Sequence, residues 1–217
     1  MASRFLDRRD AGRQLAERLR KYAGRPDVVV LALPRGGVPV GCEVARALDA
    51  PLDVLVVRKL GVPQQPELAM GAIASGGARF LLNDVLWDAR VSIMELRAVE
   101  ARERAELTRR ERLYRGARPP LRVQGRVVIV VDDGIATGAT MQAAALALRS
   151  LQPARIVVAV PVASADAAQR LDAVVNELVC VKRGVRFFAI DELYEDFEQV
   201  DDQAVRELLG QSRQLPA

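Results

Sequence analysis

The chain has 217 residues, enough for one α/β domain that buries roughly 70% of its unfolded surface, and too few for two full domains. It contains no histidine, which excludes His-based triads, His general bases and His-ligated metals. The net charge of +4 suits an anionic ligand, yet the arginines are interleaved with acids and no nucleic-acid-binding motif is visible, so nucleic acid is not an expected partner.

Residues 5–22 read as an amphipathic helix with Leu15, Leu19 and Tyr22 on one face, ended by Gly24 and Pro26. Val28 to Leu33 is an apolar strand that runs into Pro34-Arg35-Gly36-Gly37-Val38-Pro39. Here Gly36 and Gly37 let the backbone approach a ligand closely, Arg35 supplies a positive fork, and Pro39 suits the first turn of a helix running to about Leu48. An ordinary glycine-rich strand–helix turn would read the same way. A third strand, Leu52 to Val57, ends in Arg58 and Lys59. Cations at a strand end are usually just solvated, but lysine occurs only at 21, 59 and 182 in a chain that otherwise prefers arginine. That choice suggests a compact point charge, with Lys59 and Arg58 as phosphate partners.

Gly61 to Pro66 is a turn-rich stretch beside these candidate residues. Ala69–Ile73 and Arg79–Leu82 flank Ser75-Gly76-Gly77, which predicts a hairpin. Residues 90–115 predict a long charged helix with Glu100–Arg104, Glu106–Arg110 and Glu111–Arg115 at i,i+4, stopped by Gly116 and Pro119-Pro120. It reads as a solvated helix packing a thin apolar stripe, or else as a dimer arm.

The most informative stretch is Val127 to Met141. Val127–Val131 has no polar residue on either face, as in a central parallel strand covered by helices on both sides. Asp132 and Asp133 then fall at its carboxyl end, where open α/β sheets bind ligands. The loop Ala136-Thr137-Gly138-Ala139-Thr140 has little side-chain bulk, so its N–H groups can close around an oxyanion with two hydroxyls at the rim. Met141–Leu151 reads as a helix whose positive end faces the loop. A plainer alternative makes the acids turn formers and Thr140 an N-cap. There is no P-loop lysine after the glycine, and the glycine spacing is not a dinucleotide fingerprint.

Beyond it, Arg155–Val160 predicts a buried strand with Pro161–Ser164 leaving its end near the ligand, followed by a helix over Ala165–Val175 and a strand over Glu177–Val181. Phe187, Phe188, Tyr194 and Phe197 concentrate in the tail, either to stack on a planar acceptor or to anchor the segment to the core. Cys42 and Cys180 read as small buried hydrophobes; together with the absence of a signal peptide or membrane-length apolar run they suggest a cytoplasmic location.

Residues 132–140 resemble the phosphoribosyl-diphosphate (PRPP) signature of the type I phosphoribosyltransferases. Pro-Arg-Gly-Gly-Val-Pro resembles that family's pyrophosphate loop, and with Val-Arg-Lys-Leu-Gly and Pro-Glu-Leu-Ala-Met-Gly-Ala these segments resemble a bacterial group of phosphoribosyltransferase-like proteins along nearly the whole chain. The resemblance implies a single domain over residues 1–217. Its fold would be a Rossmann-like open, mostly parallel sheet flanked by helices, with a flexible loop, hairpin and long-helix insertion over 60–120. It implies transfer of a 5-phosphoribosyl group from PRPP to a nitrogen nucleophile with release of diphosphate. Asp132 and Asp133 would take the ribose hydroxyls, Ala136 to Thr140 the 5-phosphate, and Arg35, Gly36, Gly37, Arg58 and Lys59 the diphosphate. Mg²⁺ would be the cofactor, bound through PRPP and water with Asp132 and Asp133 at its hydration shell. Any non-proline cis peptide is expected at Arg35–Gly36, and homodimerisation is a family expectation. Ala136 stands where enzymes for 6-oxopurines usually carry an Asp, which argues against hypoxanthine or guanine. A regulatory protein that binds PRPP or a nucleotide without transfer is the alternative from another class.

Overall fold

The computed structural model describes residues 4–212. Its framework is a five-stranded parallel sheet built from β1 (Val28–Ala32), β2 (Leu52–Val54), β6 (Val127–Val131), β7 (Arg155–Ala163) and β8 (Glu177–Arg183) in the order β2-β1-β6-β7-β8. β1 and β6 lie in the middle, paired from Val28↔Val127 to Ala32↔Val131, and every residue of both is buried. Alternate residues serve opposite faces, as strand geometry requires. Val28, Val30, Val127 and Ile129 pack under α2 (Gly37–Leu48) and its neighbours, whereas Val29, Leu31, Val128 and Val130 pack with α5 (Ala139–Arg149) and α6 (Ala165–Asp172). This double burial explains the unbroken apolar runs.

β2 lies on one side of β1, and β7 and β8 lie beyond β6, so the chain winds outward in opposite directions from the central pair. In such a sheet a crevice opens between the carboxyl ends of the two central strands. The loops after β1 and β6 therefore meet at this switch point, although β1 and β6 are far apart in sequence.

Between β2 and β6 a second layer is inserted: a three-stranded antiparallel sheet of β3 (Val57–Val62), β4 (Gln65–Ala74) and β5 (Ala78–Leu81), then α3 (Asn83–Asp88) and the long α4 (Ile93–Arg115). The strand expected over Leu52–Val57 is thus two strands. Leu55 still donates to the Ala32 carbonyl, but Val56 N–H goes to the Ser75 hydroxyl at 3.0 Å and Ser75 N–H returns to the Val56 carbonyl. Ser75, wholly buried, takes the chain out of the parallel ladder and into the antiparallel one. Arg58 and Lys59 accordingly stand inside β3 and not at a strand end. Gly61–Pro66 forms the β3–β4 connection, with Val62 paired to Gln65 and a register shift at Gly61. A side chain at Gly61 would meet the Pro66 carbonyl at 2.4 Å. The hairpin around Ser75–Gly77 is present and longer than expected.

α4 opens on a capping box between Ser92 and Glu95 and buries only Val99, Glu103, Leu107 and Tyr114, the thin stripe its sequence predicts. Glu100–Arg104 and Glu106–Arg110 pair at 2.7 and 2.8 Å, but the third expected pair does not form. Arg115 turns inward and donates twice to Asp53, at 3.0 and 2.9 Å, because that carboxylate is buried in β2 and a desolvated charge needs a partner.

β7 runs through Pro161 to Ala163, three residues past the expected end. Its pairing with β6 stops at Ala159, so the missing N–H of Pro161 costs no central ladder bond. β8 likewise extends to Arg183, whereas α6 stops at Asp172, short of the expected Val175. The first helix is α1 (Arg8–Arg18), continued by a 3₁₀ turn at Arg20–Tyr22, and a final helix unforeseen in the sequence, α7 (Asp202–Gly210), packs beside α2 and α4. Among the described residues no helix is long and apolar enough to cross a membrane.

Candidate functional site at the sheet switch point

The loop after β1 passes so close to the acidic pair that glycine is required sterically. A Cβ on Gly36 would lie 2.0 Å from Asp133 Oδ2, and one on Gly37 would lie 2.8 Å from the Val131 carbonyl and 2.9 Å from the Asp132 Cα. The structure thus brings Gly36 and Gly37 against Asp132 and Asp133, as the two motifs predict. The cis peptide of this loop is Pro34–Arg35, one bond before the expected Arg35–Gly36. Arg35 is partly exposed at the loop, with Nη1 3.9 Å from Asp202 of α7. Tyr114 of α4 donates to the same carboxylate at 2.7 Å, and burial with that contact pushes its phenol up to about 12.

The loop after β6 encloses a cavity of about 220 Å³ lined by Asp132, the segment Gly134–Met141 and Ile190. Gly138, at φ +77°, is the residue that turns the chain into α5, and no side chain caps the helix there. Thr140 therefore lies inside the helix and is not its N-cap. Ala139 N–H makes only a long contact of 3.5 Å to the Thr137 hydroxyl, while the next N–H groups, by helix geometry, have no intrahelical partner and face the cavity end of the dipole. The Ser164 hydroxyl holds the Ala136 carbonyl at 2.6 Å, and Ile135 is bridged to Ala163, so the loop is fixed from β7. The result is a small-residue backbone cradle at the N-terminal end of α5.

The two carboxylates have different surroundings. Asp132 accepts the Asp133 N–H at 2.9 Å, and desolvation, followed by the neighbouring Asp133 charge, raises its pKa well above the usual carboxylate range. Asp133, buried, accepts from Arg8 Nε at 2.8 Å, and its carbonyl accepts from the Tyr194 hydroxyl at 2.6 Å. Burial also pushes the Tyr194 phenol upward, so it is a neutral donor. No sequence signal pointed to Arg8, Asp202 or Ile190. Tyr194 and Phe197 do anchor the tail to the core, stacking with Phe5 and each other at 5.4 and 5.0 Å, whereas Phe188 is exposed.

Arg58 and Lys59 do not enter the crevice by any contact of their side chains. Arg58 donates twice to the buried Glu103, at 2.9 and 2.6 Å. Lys59 contacts the fully exposed carboxylate of Glu67 at 3.2 Å. Among the described residues no group of three or more Cys, Asp or Glu side chains is placed to hold a metal ion. Cys42 is buried and Cys180 half-buried; both thiols are raised by desolvation, Cys180 to about 11, so neither is a ready nucleophile.

An adjacent carboxylate pair and a small-residue loop at a helix end meet at the switch point of this α/β domain. Residues 2–196 match the family described as the phosphoribosyl transferase domain, and the chain belongs to that family. It is 48% identical over 93% of its length to two Mycobacterium tuberculosis proteins, from strains CDC 1551 and H37Rv, which carry the provisional name phosphoribosyl transferase. The chain spans 45% of the length of these curated relatives. The crystal structure of TT1426 from Thermus thermophilus is 44% identical, with a TM-score of 0.86 over 97% of this chain and 99% of that one.

Proposed function

We propose that the chain transfers the 5-phosphoribosyl group of PRPP to a nitrogen nucleophile, releasing diphosphate. The observation that supports this reading is the close approach of Gly36 to Asp133, by which the glycine loop after β1 lies directly against the acidic pair after β6. In this reading the N–H groups around Gly138 to Thr140 anchor the 5-phosphate, and Asp132 and Asp133 accept hydrogen bonds from the ribose hydroxyls. Arg35 and the backbone of Gly36 and Gly37 take the diphosphate on the other side of the sugar's C1. Held at both ends, the sugar presents C1 to an acceptor, and most of the rate gain comes from positioning and from charge stabilisation of the leaving group.

Mg²⁺ fits this donor set. Two adjacent carboxylates without a third side-chain ligand match an ion held mostly by substrate oxygens and water, and when bound it would neutralise charge on the diphosphate. Lys59 is available to that end, because an exposed pair such as Lys59–Glu67 is worth only about 0–1 kcal/mol and yields to a stronger anion. Arg58, held by a buried partner, is assigned to the structure of the insertion instead. The Ala136 carbonyl is occupied by Ser164 and its side chain offers no base, so the acceptor is one that needs no carboxylate at this position.

Calorimetric titration of PRPP with Mg²⁺ into the wild type and the Asp132→Asn/Asp133→Asn double variant tests the site. Saturable binding lost in the variant is expected, followed by acceptor-dependent diphosphate release in a nucleobase screen. A wild type that binds neither PRPP nor ribose 5-phosphate would overturn the reading. Tight PRPP binding without diphosphate release for any acceptor would favour a PRPP-sensing role, the second reading, which the engagement of Arg58 by the buried Glu103 supports.

A further inference from the structure

Arg8, the first residue of α1, is 125 residues from Asp133 in sequence yet donates Nε to its Oδ2 at 2.8 Å. The pair is almost closed to solvent, with side-chain exposures of 11% and 12%. The guanidinium makes two further contacts: Nη1 donates to the Glu198 carbonyl at 2.7 Å, and Cζ lies 3.6 Å from the centre of the Phe197 ring. Both flanks of this arginine are tied down. Phe5 N–H donates to the Leu193 carbonyl and its own carbonyl accepts from Glu195 N–H, while the Leu6 carbonyl accepts from Asp196 N–H. Asp7 caps α1 by accepting from Asp10 N–H at 2.6 Å. Residues 5–8 and 193–198 thus form one clasp, closed behind the acidic pair.

Resting on the PRPP reading above, we propose that Arg8 is a positioning residue for ribose recognition. Its fork fixes Asp133 Oδ2 on the side facing Gly36, so that the carboxylate presents its remaining oxygen, together with Asp132, to the vicinal hydroxyls. Tyr194 fixes the same residue through its main chain, so Asp133 is oriented from both its backbone and its side chain. A guanidinium suits this task better than an ammonium. It is planar, stacks on an aromatic face, and donates to the carboxylate and the Glu198 carbonyl at once. The residues that make ribose recognition possible therefore include two segments, 5–8 and 194–198, that touch no substrate group in this assignment.

The test is calorimetry on the intact chain with three ligands, each with Mg²⁺: PRPP, ribose 5-phosphate and inorganic diphosphate. Arg8→Gln is expected to weaken both ribose-containing ligands by about tenfold to a hundredfold, the loss that accompanies a misplaced group, and to leave diphosphate unchanged. Arg8→Lys keeps the charge without the fork and is expected to recover part of the loss; should Arg8→Gln fail to fold, the same selective loss in Arg8→Lys carries the test. Wild-type affinity for ribose 5-phosphate in these variants, or an equal loss of diphosphate binding, would overturn the role of Arg8 alone. If the wild type binds neither PRPP nor ribose 5-phosphate, the functional reading falls and the role of Arg8 falls with it.

Discussion

Replacing Gly36 by alanine isolates the steric contact on which the site depends. Gly36 has φ −58° and ψ −33°, ordinary right-handed helical values, so alanine fits its backbone. By unfolded-state entropy alone the change would stabilise the protein by about 0.4–1 kcal/mol. The added methyl, however, would lie 2.0 Å from Asp133 Oδ2 and 2.7 Å from its Cγ, where ordinary contact begins at 3.4 Å. The carboxylate oxygen must retreat by 3.4 − 2.0, or about 1.4 Å, and it is tethered to Arg8 at 2.8 Å. A shift of about 1 Å at a substrate contact can cost roughly a hundredfold in function, and overpacking of this kind typically costs about 1–3 kcal/mol of stability. At roughly 2–4 °C per kcal/mol for a domain of this size, the thermal midpoint should fall by about 2–12 °C, less the entropic gain. PRPP calorimetry and thermal unfolding measure both effects. Gly210→Ala is the control, since an added methyl there meets nothing within 4 Å, and it should leave PRPP binding intact. A Gly36→Ala protein that binds PRPP like the wild type would refute the claim that the two loops must touch.

Two further outcomes follow from the charges. Because the folded-state pKa of Asp132 is raised, its favourable contribution to stability is present below the unfolded value, near 3.8, and is lost as pH rises through the folded value. Asp132→Asn should therefore melt above the wild type at pH 8, with the gap closing as pH falls towards 4; equal midpoints at pH 8 would sink this account. Asp53→Ala removes the carboxylate that holds Arg115 and, at 3.9 Å, Arg118, both with little exposure. Leaving buried charge unpaired should cost about 3–5 kcal/mol, or roughly 6–20 °C in thermal midpoint, while ligand affinity measured well below that midpoint stays at the wild-type level; a loss under about 1 kcal/mol would show that water reaches the pair.

Local pattern alone specified the segments that carry their own physics. The unbroken apolar runs of β1 and β6, the glycines after the first, the acids and small residues after the second, and the charge pairing of α4 are all written within short windows, where strand burial, turn chemistry and i,i+4 spacing operate. Those signals were enough to place the small-residue loop and the acidic pair at the carboxyl end of β6. What they could not show is where the chain changes partners. The Leu52–Val57 run reads as one strand because all its residues but Asp53 are apolar up to Arg58; only Ser75, brought back by the hairpin, ends the parallel ladder at Val54. Arg115 looks like a partner for Glu111 until α4 is laid beside the buried Asp53. Arg8 looks like one more surface arginine in a basic helix until residues 5–6 pair with residues 193–196 and seat it against Asp133. In each case a desolvated polar group, not a local preference, selects the partner, and desolvation exists only once distant segments have packed.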